Sequence, residues 1–211
     1  MPALKSYEQF KKSYLKAAEK LTQNQAGEGA RPPKEYDGNF DDYEPLNLSD
    51  AERKGFGSLR SATASSGFEY GVVIENGNVG TLHTSGLPDA VALSFDDYGE
   101  GLTVLHSHTN ATTFSVQDFA MLFNPKVEKV GVVGYNGDAY LTYVGGGWLP
   151  SLSEFEADVS RIRQEANVTI MEDPDFCSWS LEERNYMAIR EQAYRIARNY
   201  GWTIEGGKMD D

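Results

Sequence analysis

The run Leu105-His106-Ser107-His108 holds two of the three histidines in this 211-residue chain, and Asp118 follows ten residues after the second. Just upstream, Gly101-Leu102-Thr103-Val104-Leu105 reads as a strand that enters the pair. Side chains at i and i+2 of a strand share a face, so both imidazoles can aim at one point just beyond the strand end. Asp118 falls near the start of a segment that reads as a helix, Ser115-Val116-Gln117-Asp118. Two neutral imidazoles and one carboxylate are the ligand set of a catalytic zinc with an open fourth position. Each half also has a plainer reading. Two same-face histidines often form a surface or hydrogen-bonded pair. Ser-x-x-Asp is also a helix N-cap signature, and Ser49-x-x-Glu52, Ser151-x-x-Glu154 and Ser180-x-x-Glu183 read as capping boxes of the same kind.

Taken together on a strand, loop and helix, His106-Ser107-His108-Thr109, five residues, then Ser115-Val116-Gln117-Asp118 resembles the JAMM metalloproteases. These are the catalytic branch of the MPN-domain family, whose motif is a glutamate on an early strand followed by H-x-H-P-x6-S-x-x-D. The resemblance implies zinc (Zn2+) held by His106, His108 and Asp118, with Ser115 polarising the substrate carbonyl. Thr109 stands where the family usually has proline, and the spacer before Ser115 is one residue shorter.

The family mechanism also needs a general base beside a metal-activated water. Gly67-Phe68-Glu69-Tyr70-Gly71-Val72-Val73-Ile74-Glu75-Asn76-Gly77-Asn78-Val79-Gly80 reads as a β-hairpin turning at Asn76-Gly77, a pair that accepts φ > 0. Glu69 opens its first strand, after a helix expected over about 50–64 that starts at the Ser49 cap. The resemblance implies Glu69 as the base. Glu75 is the rival, but it abuts the turn and reads as solvated. Read alone, Glu69 is an ordinary strand-end carboxylate. His83 reads as structural or surface.

The elements that must position these groups follow in order. Tyr7, Phe10, Tyr14, Ala18 and Leu21 recur at spacings of three and four, which predicts an amphipathic helix over 6–22. Residues 23–48 are rich in Gly, Pro, Asn and acid and read as a linker or wrap. Residues 49–147 carry helix, hairpin, strand, metal loop, helix and a second hairpin whose turn is Asn136-Gly137. That order fits an α/β domain of MPN (JAMM)-like type, a central mixed β-sheet flanked by helices. Residues 148–211 add a C-terminal extension with helices from Ser151 to about Ala166 and from Ser180 to about Tyr200. Gly201 is the natural stop of the second, and Trp202 the expected anchor of its end.

Composition narrows the function classes. The net charge is −13 and the pI about 4.7, which argues against nucleic acid and anionic membrane surfaces as partners. No stretch approaches the ~18 apolar residues of a membrane span, and no apolar leader is evident. A soluble, cytoplasmic protein is expected. The single Cys177 leaves no internal disulfide and no thiolate-rich zinc site. The resemblance implies a hydrolase acting on a protein or peptide, with a ubiquitin-like substrate as one option. The segment after Asp118 runs almost directly into the second hairpin. That compactness fits a smaller prokaryotic or phage-type JAMM peptidase better than a linkage-specific deubiquitinase. The alternatives are a non-catalytic MPN-like interaction module and a metal-dependent hydrolase of a non-protein substrate.

Overall fold

A computed structural model describes residues 43–110 and 112–209. The helix expected over 6–22, and the linker up to residue 42, lie outside the described residues. In chain order the elements are β1 (Glu44–Pro45), α1 (Asp50–Ser66), β2 (Gly71–Glu75), β3 (Asn78–Val79), β4 (Leu102–His108), α2 (Val116–Ala120), β5 (Val127–Gly134), β6 (Asp138–Tyr143), α3 (Leu152–Met171), α4 (Leu181–Tyr200) and β7 (Thr203–Lys208). The architecture is α/β, and the strands form one mixed sheet in the order β1-β7-β6-β5-β4-β2-β3. The pairs β4/β5 and β1/β7 are parallel and the rest antiparallel.

Local chemistry sets most of these boundaries. Ser49, Ser115, Ser151 and Ser180 each close a reciprocal capping box at the start of α1, α2, α3 and α4. In each box an otherwise orphaned backbone N–H is satisfied by the serine hydroxyl. Asn76 and Gly77 take φ of 51° and 74°, the left-handed pair that closes the first hairpin. Gly201 ends α4 at φ 66°. There the chain departs from its expected course. It does not finish on a helix but returns to the sheet as β7, which lies between β6 and β1. Thr203-Ile204-Glu205-Gly206-Gly207-Lys208 has only one apolar residue and two glycines, so neither period nor propensity marks it as a strand. Its backbone is recruited by the free edge of β6.

Alternation along the strands separates two cores. Leu102 and Val104 of β4, Val130 and Val132 of β5 and Tyr140 of β6 face one side, where they meet Phe119 of α2, Phe155 and Ile162 of α3, and Ile196 and Tyr200 of α4. Leu105, Val133 and Leu141 face the other side and meet Phe56 and Leu59 of α1. Gly131 lets α1 come this close, because a Cβ there would lie 2.7 Å from the Phe56 ring and 2.5 Å from Leu105. Trp202 is buried as the expected anchor; its ring stacks on Phe155 at 6.1 Å and its N–H donates to the Trp148 carbonyl at 2.8 Å. Among the described residues, no helix is long and apolar enough to cross a membrane.

Candidate metal centre

The carboxyl end of β4 carries the site, in the crossover from β4 through α2 to β5. Strand β4 runs further than the sequence suggests. It includes both histidines, because its parallel pairing with β5 continues to His108 opposite Gly134. His106 and His108 share the face of Leu102 and Val104, and α2 closes over that face. Helix α2 is only five residues long. A helix of that length has no stability of its own. Phe119 within it and Phe114 just before it are buried in the core, their rings 5.3 Å apart, and this packing places Asp118.

Three side chains converge there. His106 Nε2 lies 3.1 Å from His108 Nε2 and 3.0 Å from Asp118 Oδ1, and His108 Nε2 lies 3.6 Å from Asp118 Oδ2. All three residues are buried. One donor atom from each falls within 4.8 Å of the others, close enough for the three to hold a metal ion. The orientation of His108 is fixed from behind. Its Nδ1 faces the Thr112 carbonyl at 3.1 Å and the Thr112 hydroxyl at 3.0 Å. Donation from Nδ1 to that carbonyl leaves the Nε2 lone pair toward the cluster, the arrangement metal-ligating histidines use. Thr112 is held by Asn110, whose side-chain carbonyl accepts its N–H at 3.1 Å. Sequence reasoning passed over Thr112; the sole signal was its place in the loop between His108 and Ser115. His106 Nδ1 is buried and makes no hydrogen bond of ordinary geometry.

The electrostatics follow from burial and proximity. Burial drives the His108 pKa down to about 4, against the pull of Asp118. Burial also opposes charge on His106, yet Asp118 and Glu69 together hold its pKa above the usual value. Desolvation would raise the Asp118 carboxyl, but the two imidazoles and the Ser115 N–H overcome it and bring it to about 2. A carboxylate and a neutral imidazole are therefore ready at neutral pH.

Glu69 is buried and precedes β2 by two residues. Antiparallel pairing sets Gly71 opposite His106. Two residues further back, Glu69 has the same parity and faces the side of the sheet that carries the histidines. Burial raises its pKa to about 8, with His106 opposing and Asp118 and the exposed Asp89 adding to the rise. Glu75 is on the same strand face but six residues away, roughly 20 Å at ~3.3 Å per residue. It accepts the Gly99 N–H at 2.6 Å instead. His83 is exposed and takes part through its backbone in a bridge to Gly71.

Ser115 caps α2. Its hydroxyl accepts the Asp118 N–H at 3.4 Å, and Asp118 Oδ2 accepts the Ser115 N–H at 2.6 Å. In two of the other boxes the serine hydroxyl also donates to its partner acid, Ser49 to Glu52 at 2.8 Å and Ser151 to Glu154 at 2.6 Å. The Ser115 hydroxyl serves its box as an acceptor, which leaves its own hydrogen for another group. Thr109 donates to the Pro88 carbonyl at 2.7 Å. The Glu69 N–H donates to the adjoining Leu87 carbonyl at 3.0 Å. The 87–88 segment is thus tied to both flanks of the site.

No family model, curated protein or solved structure matches the chain.

Proposed function

We propose that this chain is a zinc-dependent peptidase or isopeptidase of the JAMM type, built on an MPN-like domain. The observation that carries the reading is the convergence of His106, His108 and Asp118 at one strand end with Glu69 on the adjoining strand's approach. Zinc bound tetrahedrally at ~2.0–2.1 Å from N and O ligands spaces its ligand atoms roughly 3.3 Å apart. The contacts of 3.0, 3.1 and 3.6 Å among the three side chains bracket that spacing. Two imidazoles and a carboxylate are the protein donor set of catalytic rather than structural zinc sites, and His106, His108 and Asp118 would hold the ion.

Zinc at such a site supplies Lewis acidity and lowers the pKa of a coordinated water toward ~7. The protein supplies the rest. Glu69 takes the proton of the attacking water and delivers it to the leaving amine. Its low-dielectric setting tunes it for both tasks, since a base with a pKa near the working pH can also act as an acid. Ser115 donates its free hydrogen to the carbonyl oxygen as negative charge develops there. Thr112 holds His108 in register, and the packing of Phe114 and Phe119 keeps Asp118 and Ser115 in place. The side chain of His108 retains 10% exposure against 3% for His106, so His108 is the more solvent-facing of the two. A protein or peptide is the proposed substrate, with a ubiquitin-like fusion as one class.

The second reading is a non-catalytic MPN-like module in which His106 and Asp118 form a metal-free buried ion pair. The 3.0 Å contact between them favours it. One experiment separates the two. Metal-loaded protein and its Glu69→Gln variant are incubated with ubiquitin-like fusions, a peptide library and small amides, and cleavage is read by mass spectrometry. Cleavage by wild type alone supports the peptidase. Metal binding with no cleavage anywhere in the panel overturns it.

A further inference from the structure

Ser107 stands between the two histidines, yet its side chain points to the opposite face, toward α1. It is 1% exposed. Its Oγ meets Thr63 Oγ1 of α1 at 2.5 Å and accepts the Tyr70 N–H at 3.0 Å. It also lies 3.4 Å from the Tyr70 carbonyl, which accepts the Ser107 N–H at 2.9 Å. One arrangement satisfies every group: Thr63 donates to Ser107, Ser107 accepts the Tyr70 N–H as well, and its own hydrogen turns to the Tyr70 carbonyl. Both backbone groups of Tyr70, the residue after Glu69, are therefore held by Ser107.

The register shows what this does. The β2/β4 ladder begins at Gly71 opposite His106. One step further would set Tyr70 opposite Ser107. There the Tyr70 N–H goes to the serine side chain rather than to a main-chain carbonyl of β4. The hydroxyl stands in for a ladder acceptor and directs the course of the chain at the residue next to Glu69. Thr63, buried at 4% in the last turns of α1, ties the same point to the helix that delivers the chain there.

We infer that Ser107 is a positioning residue that acts through Tyr70 to set the distance of the Glu69 carboxylate from His106, His108 and Asp118. The inference rests on the proposed role of Glu69 as the base. It assigns one function to each face of the His-Ser-His run: ligands on one side, and on the other the clamp for the second reacting group.

Ser107→Ala removes the clamp without adding bulk. Metal content should stay at wild type, because no ligand is touched. Exchange of the Tyr70 amide in metal-loaded protein, followed by NMR, should accelerate tenfold or more. On a substrate that wild type cleaves, kcat should fall on the order of 10²-fold with KM nearly unchanged, the scale of a misplaced reacting group. Ser107→Thr keeps the hydroxyl and should restore both readouts. Thr63→Val, which spares the Ser107–Tyr70 bond, guards against poor folding of the threonine variant and should lie between wild type and Ser107→Ala. A crystal structure of Ser107→Ala should show Glu69 displaced from His106. Unchanged Tyr70 protection with Glu69 in place overturns the inference, as does loss of metal alongside loss of activity. If wild type cleaves nothing while Tyr70 loses protection and Glu69 shifts in Ser107→Ala, the peptidase reading fails and the positioning role stands.

Discussion

The Nε2 atoms of His106 and His108 approach to 3.1 Å inside the protein, with an Asp118 oxygen 3.0 Å from the first. Two imidazole lone pairs at that separation repel unless a proton or a metal ion lies between them. Near neutrality that proton sits on His106, whose pKa Asp118 raises, and not on His108, whose pKa burial brings down to about 4; a metal ion would take its place.

One metal ion per chain is expected, because one donor atom from each of His106, His108 and Asp118 lies within 4.8 Å of the others. Elemental analysis of protein purified without added metal should find zinc near one equivalent, or titration should reach it. His108→Ala should abolish stoichiometric binding. Ligation by the native state alone adds about 2.7 kcal/mol at a hundredfold excess over Kd, so wild type should melt higher with zinc and the variant should not. A stoichiometry that stays near zero on titration contradicts the metal centre.

Binding should be linked to protons. In the metal-free site Asp118 keeps His106 protonated above its usual range, and burial keeps Glu69 protonated up to about pH 8. A cation must displace the first proton and favours loss of the second. Zinc affinity should rise as pH increases from 6 to 8, with ~1–2 protons released near pH 6.5 and fewer above pH 9. Calorimetry in buffers of different ionisation enthalpy measures this count. Affinity that is flat or falls over this range contradicts the assignment.

Ser115 has two jobs with different signatures. As a cap alone, Ser115→Ala costs about 0.5–2 kcal/mol of stability and leaves turnover per folded molecule near normal. As a donor to the developing oxyanion, the same change lowers turnover ~10²–10³-fold. The second pattern is expected, because the capping geometry leaves the hydroxyl hydrogen unused. Activity and thermal unfolding measured on one preparation decide between them.

Capping boxes and the Asn-Gly turn are local chemistry, so the four helix starts and the first hairpin were legible from residues three or four positions apart. His106, His108 and Asp118 were legible because strand parity and helix start act over the same short range. The strand Thr203–Lys208 was not, since an edge already present in the sheet selects it and its own side chains do not. Thr112 behind His108, and Ser107 beneath Glu69, were hidden for a related reason. Each bonds a group whose position depends on loop closure or on sheet register, and a linear pattern carries neither.

The last expectation separates catalysis from metal binding. Glu69→Gln keeps shape and hydrogen-bonding reach but removes the basic carboxylate. The variant should retain zinc and lose turnover by ~10²–10⁴, the range of a general base. It also carries a stability signature of unusual sign. Glu69 is buried, and its pKa rises from 4.5 unfolded to about 8 folded. Between those values the folded state holds a proton that the unfolded state releases. Metal-free wild type should therefore lose stability relative to Glu69→Gln as pH climbs from about 4.5 to about 8, by on the order of a few kcal/mol, where an ion-paired carboxylate would gain it. Glu75→Gln serves as the control. It sits at the far end of the strand and keeps an acceptor for the Gly99 N–H, so turnover and zinc content should match wild type. Denaturant unfolding of the three proteins at pH 5 and pH 8.5, paired with turnover and zinc content, tests the whole assignment. A Glu69→Gln variant that loses zinc makes the acid a ligand. One that cleaves at the wild-type rate removes Glu69 from the chemistry.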